Sequence, residues 1–154
     1  MKIRELIKED RAEWIELVRK ADNRDKEWAD EKFSRYVGSK KMKKMFVMED
    51  KGKLVGFMAI KGEDNEENVR EELNDDFILV CWIALLPEYR GRGIGSKLLK
   101  HAVRYLKKWD KKGIFLGCSD NRTNFYVRNG YSHEGKFLNG WGDKENLMIM
   151  KVKG

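Results

Sequence analysis

Apolar and polar positions alternate along the chain in patterns that predict both strands and helices. Apolar runs of strand length lie at residues 2–6, 45–49, 54–61, 77–86, 114–118, 131–137 and 147–152. Apolar residues recur at helical spacing over residues 10–21, 26–37, 94–106 and 122–129. The chain shows no internal repeat and no linker, so we expect a single α/β domain over residues 1–154, with a central twisted sheet between helices.

Individual positions sharpen this pattern. Asp10, followed by Glu13, has the spacing of a helix N-cap with a capping box. The strand at residues 77–86 is apolar almost throughout and is therefore expected to be covered on both faces. The buried side of the next helix is expected to comprise Ile94, Leu98, Leu99, Ala102, Val103 and Leu106. The acidic segment 63–76 has little apolar content, so we expect an exposed loop that is partly helical at residues 69–73.

Composition and charge narrow the class of protein. At 154 residues the chain is long enough for one substantial core, and its formal net charge is +7. No stretch is long and apolar enough to cross a membrane, and the amphipathic N-terminus does not read as a signal peptide. Cys81 and Cys118 lie in predicted interior strands, so we expect buried, reduced thiols and a cytoplasmic protein. Nine Lys and Arg residues between positions 87 and 112, against two acidic ones, favour a polyanionic ligand there.

A glycine-rich turn joins the apolar strand to the following helix and carries the strongest chemical signal. It reads Arg90-Gly91-Arg92-Gly93-Ile94-Gly95. Backbone N–H groups of such a turn and of a helix N-terminus bind phosphate oxygens, and glycine permits close approach and positive φ. The two arginines add positive charge where a pyrophosphate would lie. The spacing fits neither the G-x-G-x-x-G nor the G-K-[ST] nucleotide motif, so we predict a different anionic cofactor.

Two motifs resemble those of the GNAT superfamily, the N-acetyltransferases that use acetyl-coenzyme A. Leu85-Leu86-Pro87-Glu88-Tyr89 and the turn after it resemble the family's strand end, V-x-P-x-Y, followed by R/Q-x-x-G-x-G/A. The family's F-Y-x-K-x-G-F/Y is resembled by Asn124-Phe125-Tyr126-Val127-Arg128-Asn129-Gly130-Tyr131. Both motifs stand in the family's order. The resemblance implies a mixed, mostly antiparallel twisted sheet flanked by helices, with acetyl-CoA as co-substrate and no metal.

The resemblance also implies roles for individual residues. The backbone of Ile83, Ala84 and Leu85 is expected to pair with the pantetheine arm, and a backbone N–H near Leu85 to hold the oxyanion. Tyr126 matches the tyrosine that protonates the departing thiolate, and a phenol of pKa ~10 gives a proton to a thiolate near ~8.5 at small cost. The residues expected at the pyrophosphate are Arg90, Gly91, Arg92, Gly93, Ile94, Gly95 and Ser96. Those expected beside the pantetheine are Asn121 and Phe125, with Ser119 or Arg122 as alternatives to Asn121.

The residues that act on the acceptor amine are predicted from their position relative to these motifs. A lysine-like amine must lose its proton, which costs roughly 4–5 kcal/mol at neutral pH. Some members of the resembled family use a carboxylate at the start of the central strand as base, and this resemblance implies Asp76. The alternatives are Asp75, His133, Glu134 and a water relay. The predicted walls of the acceptor site are Trp28, Tyr36 and Trp141. The acidic segment favours a cationic amine, such as a polyamine or a lysine side chain.

These features predict an N-acetyltransferase that moves acetyl from acetyl-CoA to a primary amine of a small molecule or peptide by direct attack, with Tyr126 as general acid. An alternative is a GNAT-like module that binds CoA without catalysis, as a sensor or subunit. A basic nucleic-acid-binding protein is disfavoured because no base-stacking aromatic motif accompanies the charge. We expect no nucleic-acid and no membrane partner, and a homodimer is one expectation because dimers are common among relatives.

Overall fold

The predicted strands and helices are present in the structure, a computed structural model that describes residues 1–63 and 71–152. The strands are β1 (Lys2–Glu5), β2 (Lys43–Asp50), β3 (Lys53–Lys61), β4 (Phe77–Leu85), β5 (Gly113–Cys118), β6 (Ser132–Leu138) and β7 (Lys144–Lys151). The helices are α1 (Arg11–Asp22), α2 (Lys26–Tyr36), α3 (Glu71–Asp76), α4 (Ile94–Lys108) and α5 (Thr123–Arg128). Short 3₁₀ turns lie at Lys8–Asp10, Pro87–Tyr89 and Asp120–Arg122. The α/β fold class is confirmed.

The strands described here hydrogen-bond in the order β1-β2-β3-β4-β5-β7-β6. The chain divides into two compact units, and β4 contributes residues to both. Met1–Ile60 with Cys81–His101 form the first unit, and Lys61–Val80 with Ala102–Gly154 form the second. A single domain over the whole chain stays a prediction. Within the described ranges, no helix is both long and apolar enough to span a bilayer.

The first unit is built on an antiparallel pairing of β1 with β2, which runs from Lys2 opposite Glu49 to Glu5 opposite Phe46. Lys51 (φ 52°) and Gly52 (φ 80°) form the turn between β2 and β3, and this pair of positive φ angles matches the twist of a two-residue hairpin. The fully buried ring of Trp14 on α1 packs edge-to-face on Phe57 of β3 at 4.9 Å. Aromatic packing of this kind fixes α1 on the sheet.

The N-terminus of α1 differs from the predicted capping box. Asp10 closes the 3₁₀ turn before α1, and its carboxylate accepts two hydrogen bonds from Arg4 (2.8 and 2.9 Å) and one from the Ile7 N–H (2.9 Å). Its hydrogen bonds with Arg4 lower the pKa of Asp10. Glu13 instead accepts the N–H of Leu54 at 2.7 Å. Asp10 stands at the N-cap position of α1 as predicted, but the predicted capping box is absent because other partners, among them Arg4 of β1 and Leu54 of β3, occupy both carboxylates.

The second unit contains a parallel pairing of β4 with β5, in which Phe77, Ile78 and Leu79 face Gly113, Ile114 and Phe115. β7 pairs antiparallel with β5 on one side and with β6 on the other. A Cβ at Gly113 would collide with the Met150 carbonyl and the Phe77 ring, so only glycine fits this crowded crossing.

The acidic segment between β3 and β4 is only partly a loop. Residues 64–70, including part of the predicted helical stretch, lie outside the described ranges. The remainder folds as α3, and Leu73 on it is fully buried. The expected helix is present at residues 71–73, and it continues to Asp76, where a loop was expected. The expectation of an exposed segment is wrong at Leu73, because this side chain packs in the core and stabilises the short helix.

Three expectations of burial are also corrected. Phe77–Val80 in β4 are buried, whereas Cys81, Trp82, Ile83, Ala84 and Leu85 are half-exposed, so this strand is not covered on both faces along its length. Cys118 is buried but Cys81 is not, and neither cysteine forms a disulfide. On α4, Val103 is 41% exposed, and Tyr105 takes a buried position beside the other apolar residues. The apolar C-terminal half of β4 is therefore partly open to a ligand.

Candidate active site

The glycine-rich turn lies entirely in the first unit and leads straight from β4 into α4. The Leu86 N–H donates to the Val55 carbonyl at 2.9 Å, which holds the end of β4 against β3. Gly91 (φ 77°) and Gly93 (φ 78°) both adopt the left-handed conformation that glycine accepts without strain. At the start of α4, the Lys97 N–H donates to the Gly93 carbonyl at 3.2 Å and begins the hydrogen-bond pattern of the helix. The three amides that precede it have no acceptor within the helix and are available to an anion.

The space at this turn is open. A Cβ built on Gly91 or on Gly93 would meet no atom within 4 Å. Both glycines are exposed, so packing inside the protein does not require them. Their positive φ angles and the free volume beside them are the features of a backbone that a ligand approaches closely.

The two arginines of the turn are held in place by neighbours in the same unit. Arg90 donates to the Ala21 carbonyl at the end of α1 at 3.1 Å. The Arg92 guanidinium lies 5.0 Å from the centre of the Tyr89 ring, and the Tyr89 hydroxyl donates to Asp50 at 2.9 Å. Their positive charges are therefore anchored beside the turn, which favours a polyanion there.

The strand that precedes the turn is approached closely by β3. A Cβ on Gly56 would overlap the Leu85 side chain and would lie 3.2 Å from the Ala84 carbonyl oxygen. Ile83, Ala84 and Leu85, which were predicted to pair with the pantetheine arm, are half-exposed. Partial exposure leaves room for a ligand beside them, as that prediction requires.

Tyr126 lies on α5 in the second unit. The 3₁₀ turn that precedes α5 is held in place by the buried side-chain amide of Asn146. The Asn146 side chain, 2% exposed, donates to the Cys118 carbonyl at 3.1 Å and to the Asp120 carboxylate at 2.8 Å. These bonds attach the end of β5 to the 3₁₀ turn that starts α5. Sequence reasoning did not single out Asn146, although a polar residue within an apolar strand is a signal for such a role.

The Tyr126 side chain is 3% exposed, and burial raises its pKa to about 12. Its ring packs edge-to-face with Phe125 at 5.0 Å and with Tyr131 at 5.8 Å. The Tyr131 hydroxyl is buried and finds no hydrogen-bond partner among the described residues. Helix α5 ends because Gly130 (φ 93°) turns the chain and the Tyr131 N–H bonds back to the Tyr126 carbonyl.

The other predicted site residues of the second unit occupy exposed or paired positions. The Ser119 hydroxyl donates to the Asn121 side-chain oxygen at 2.6 Å, and both residues are exposed. Asp76 ends α3, pairs with the Lys112 ammonium at 3.4 Å and accepts the Lys112 N–H with its carbonyl at 2.7 Å. Trp141, 89% exposed, lies in the loop between β6 and β7.

The structure brings two predicted acceptor-site residues together through a residue that sequence reasoning missed. Trp28 and Tyr36 on α2 both pack edge-to-face on Trp82 of β4, with ring centres 5.2 and 5.9 Å apart. Trp82 escaped notice because an aromatic residue in an apolar strand is usually a core residue. Trp82 is half-exposed here, so it can line a binding site and is not simply a residue of the core.

Comparison with known proteins agrees with this geometry. The family model for the acetyltransferase (GNAT) domain matches residues 41–133. The chain belongs to the GNAT family. A relative from Methanocaldococcus jannaschii, described as an uncharacterized N-acetyltransferase, is 29% identical over 152 residues, which covers 90% of this chain and 63% of that protein. The chain thus spans less than two thirds of the length of this curated GNAT relative.

Solved structures share the fold of this GNAT chain. A PaiA N-acetyltransferase from Thermoplasma acidophilum in complex with coenzyme A has a TM-score of 0.72 at 20% identity, covering 98% of both chains. An aminoglycoside 6′-N-acetyltransferase complexed with coenzyme A has a TM-score of 0.73 at 14% identity, covering 100% of this chain and 98% of that one. These likenesses confirm the predicted GNAT fold.

Proposed function

We propose that this GNAT chain transfers the acetyl group of acetyl-CoA to a primary amine. The observation that supports this most directly is the turn at Gly91 and Gly93, where positive φ, open space and free helix amides coincide with two anchored arginines. Acetyl-CoA supplies the thioester when bound. That the aminoglycoside enzyme and the PaiA protein were solved with coenzyme A supports this choice of co-substrate.

The residues of the first unit bind the donor in this proposal. The amides at the start of α4, together with Arg90 and Arg92, hold the pyrophosphate. The half-exposed backbone of residues 83–85 pairs with the pantetheine arm, and an N–H near Leu85 holds the developing oxyanion. One such preorganised donor is worth about 3–4 kcal/mol of transition-state stabilisation.

Tyr126 in the second unit is the proposed general acid. With a pKa raised to about 12 by burial, its hydroxyl keeps its proton at neutral pH. Burial acts on a thiol in the same direction, as the pKa of Cys118, raised to about 11, illustrates. The proton transfer from Tyr126 that releases CoA is therefore favoured where the site also excludes water from the departing thiolate. Asn121 and Phe125 are proposed to contact the pantetheine.

Asp76 remains the proposed base. Its ion pair with Lys112 keeps the carboxylate in one place, and both side chains are accessible to solvent. The nine residues of β4 follow Asp76 and end at Leu85, which is about 30 Å of extended strand, so Asp76 receives the proton of the amine through a relay of water molecules and not by direct contact. Exchange of Asp76 for asparagine tests this assignment, since loss of a general base lowers turnover by about 10²–10⁴-fold.

The experiment that tests the function combines binding with turnover. Calorimetry measures CoA binding to the full chain, and a thiol-release assay measures transfer to a panel of primary amines. Binding together with turnover supports the transferase. Binding without turnover on any amine supports the non-catalytic module, and absence of binding overturns both.

A further inference from the structure

Two tryptophan rings of the first unit form perpendicular walls around a cation of the protein itself, and a tyrosine ring packs on one of them. Trp28 and Trp82 stand 5.2 Å apart at 83° to each other, and Tyr36 packs on Trp82 at 73°. The Lys32 ammonium lies 5.0 Å from the centre of the Trp82 ring and 5.7 Å from that of Trp28. Perpendicular aromatic walls around an ammonium group are the arrangement by which proteins recognise alkylammonium ligands.

The sequence places these groups on one stripe of α2. Trp28, Lys32 and Tyr36 recur every four residues, so they project from the same side of the helix, and Trp82 closes the arrangement from β4. The Lys32 side chain is 13% exposed, although lysine normally keeps its ammonium in water. Its carboxylate neighbour, Glu31, is 3.7 Å away and makes a shorter bond, 2.9 Å, to Arg35. Arg24 also lies 5.0 Å from the centre of the Trp28 ring, and Lys43 lies 5.4 Å from that of Tyr36. Among the described residues, Lys32 is the cation that lies on both tryptophan rings.

The aromatic walls adjoin the strand that we assign to the donor. Trp82 directly precedes Ile83–Leu85, and both Trp28 and Trp82 are half-exposed. A ligand group in the place of the Lys32 ammonium would lie beside this part of β4. The walls thus combine a cation-binding geometry with a position next to the proposed thioester.

We propose that Trp28 and Trp82, with Tyr36 packed on Trp82, form a binding subsite for an ammonium group of the acceptor, which Lys32 occupies when no acceptor is present. This proposal rests on the proposed transferase function and names its substrate class. Aromatic faces attract only the charged form of an amine, so an amine held in this subsite keeps its proton and is not nucleophilic. The acceptor must therefore carry a second amine that reacts. The substrate class is a diamine or polyamine.

The reaction of such an acceptor balances without further reagents. The second amine, once deprotonated, attacks the thioester carbonyl carbon and forms the C–N bond. The C–S bond breaks when the tetrahedral intermediate collapses, and the new amide nitrogen releases its remaining excess proton to solvent. CoA leaves as its thiol with the proton that Tyr126 supplies, and solvent restores that proton. The ammonium in the subsite is unchanged, so it serves binding and orientation.

A binding experiment tests the subsite without any turnover. Tetramethylammonium chloride is titrated into the wild type and into Lys32→Ala, with sodium chloride at equal ionic strength as reference and intrinsic tryptophan fluorescence as readout. Because a cation–π contact is worth about 0.5–2 kcal/mol, removal of the internal competitor is expected to tighten binding by roughly 2- to 30-fold. Lys26→Ala, which removes one exposed positive charge from the same helix, is expected to bind as the wild type does.

Indole resonances of the wild type provide a second measurement that does not depend on how well the variant folds. Saturating tetramethylammonium is expected to shift the Nε1–H signals of Trp28 and Trp82 and to leave Trp14, whose Nε1–H is bonded to the Ala29 carbonyl, unmoved. Equal affinity of wild type and folded Lys32→Ala, or no selective shift of the two indoles, would overturn the subsite.

Turnover then tests the substrate class. The wild type is expected to show a KM at least tenfold lower for 1,4-diaminobutane than for n-butylamine. Equal KM values would overturn the diamine assignment. If no amine reacts at all, the transferase function fails, while the tetramethylammonium titration still decides whether the subsite exists.

Discussion

Replacement of Gly93 by alanine separates the backbone role of this residue from its role toward a ligand. Gly93 has φ 78°, and a Cβ there would meet no atom within 4 Å. The substitution therefore carries only the cost of left-handed backbone for an L-residue, about 1–2 kcal/mol. For a chain of this size, each kcal/mol lowers Tm by roughly 2–4 °C.

The effect on CoA affinity is expected to be larger than this loss of stability. If phosphate oxygens lie against the backbone of the turn, the new methyl group displaces them from one hydrogen bond. A hydrogen bond to a charged group is worth about 1.5–3 kcal/mol, which corresponds to about 10- to 150-fold in Kd. Calorimetry of CoA binding and chemical denaturation of the same samples measure the two quantities.

Gly52→Ala is the matched control for this comparison. Gly52 has φ 80° in the turn between β2 and β3, it is exposed, and a Cβ there also meets nothing within 4 Å. We expect the same loss of stability and an unchanged Kd for CoA. If Gly93→Ala binds CoA as tightly as Gly52→Ala, the phosphate assignment of the turn is refuted.

Three further substitutions test the acid, an unsatisfied hydroxyl and the N-terminal ion pair. Tyr126→Phe is expected to lower kcat by about 10²–10⁴-fold and to leave the Kd for CoA unchanged. In a pH–rate profile of the wild type, the Tyr126 pKa of about 12 predicts that loss of its proton does not lower the rate below about pH 11. Tyr131→Phe is expected to stabilise the fold by up to about 1–3 kcal/mol in denaturant unfolding, since it removes a buried hydroxyl without a partner; a net loss of stability would contradict this. Asp10→Asn is expected to destabilise the protein at pH 7. Arg4 lowers the pKa of Asp10 from its ordinary 3.8. The difference in free energy of unfolding between wild type and variant is therefore fully present above pH 3.8 and is lost as the pH falls through the lower pKa of the folded state. Urea unfolding midpoints across about pH 2–7 measure this difference.

Burial periodicity explains why the elements were predictable from sequence. The spacing of Ile94, Leu98 and Leu99 on α4 requires one apolar face, and these residues are buried as expected. The turn between β4 and α4 was equally predictable, since Gly91 and Gly93 have the positive φ angles that the motif implied. Local sequence determines such features because they depend on neighbours in the chain.

The errors arise where distant residues decide the outcome. Asp10 has ideal cap chemistry, but Arg4 and the Ile7 N–H occupy its carboxylate. Trp82 and Cys81 look like core residues in an apolar run, yet the strand is only partly covered there. A run of apolar residues predicts that a strand is shielded from water, but it does not indicate whether protein or a ligand covers the strand.

Gly56 illustrates how a residue that touches no ligand sets the position of those that do. Because it has no side chain, β3 lies flush against Ala84 and Leu85. Any larger residue would displace the part of β4 along which the pantetheine arm of the donor is proposed to lie. A larger residue at Gly56 is therefore expected to weaken binding of the pantetheine arm and to leave phosphate binding at the turn unchanged.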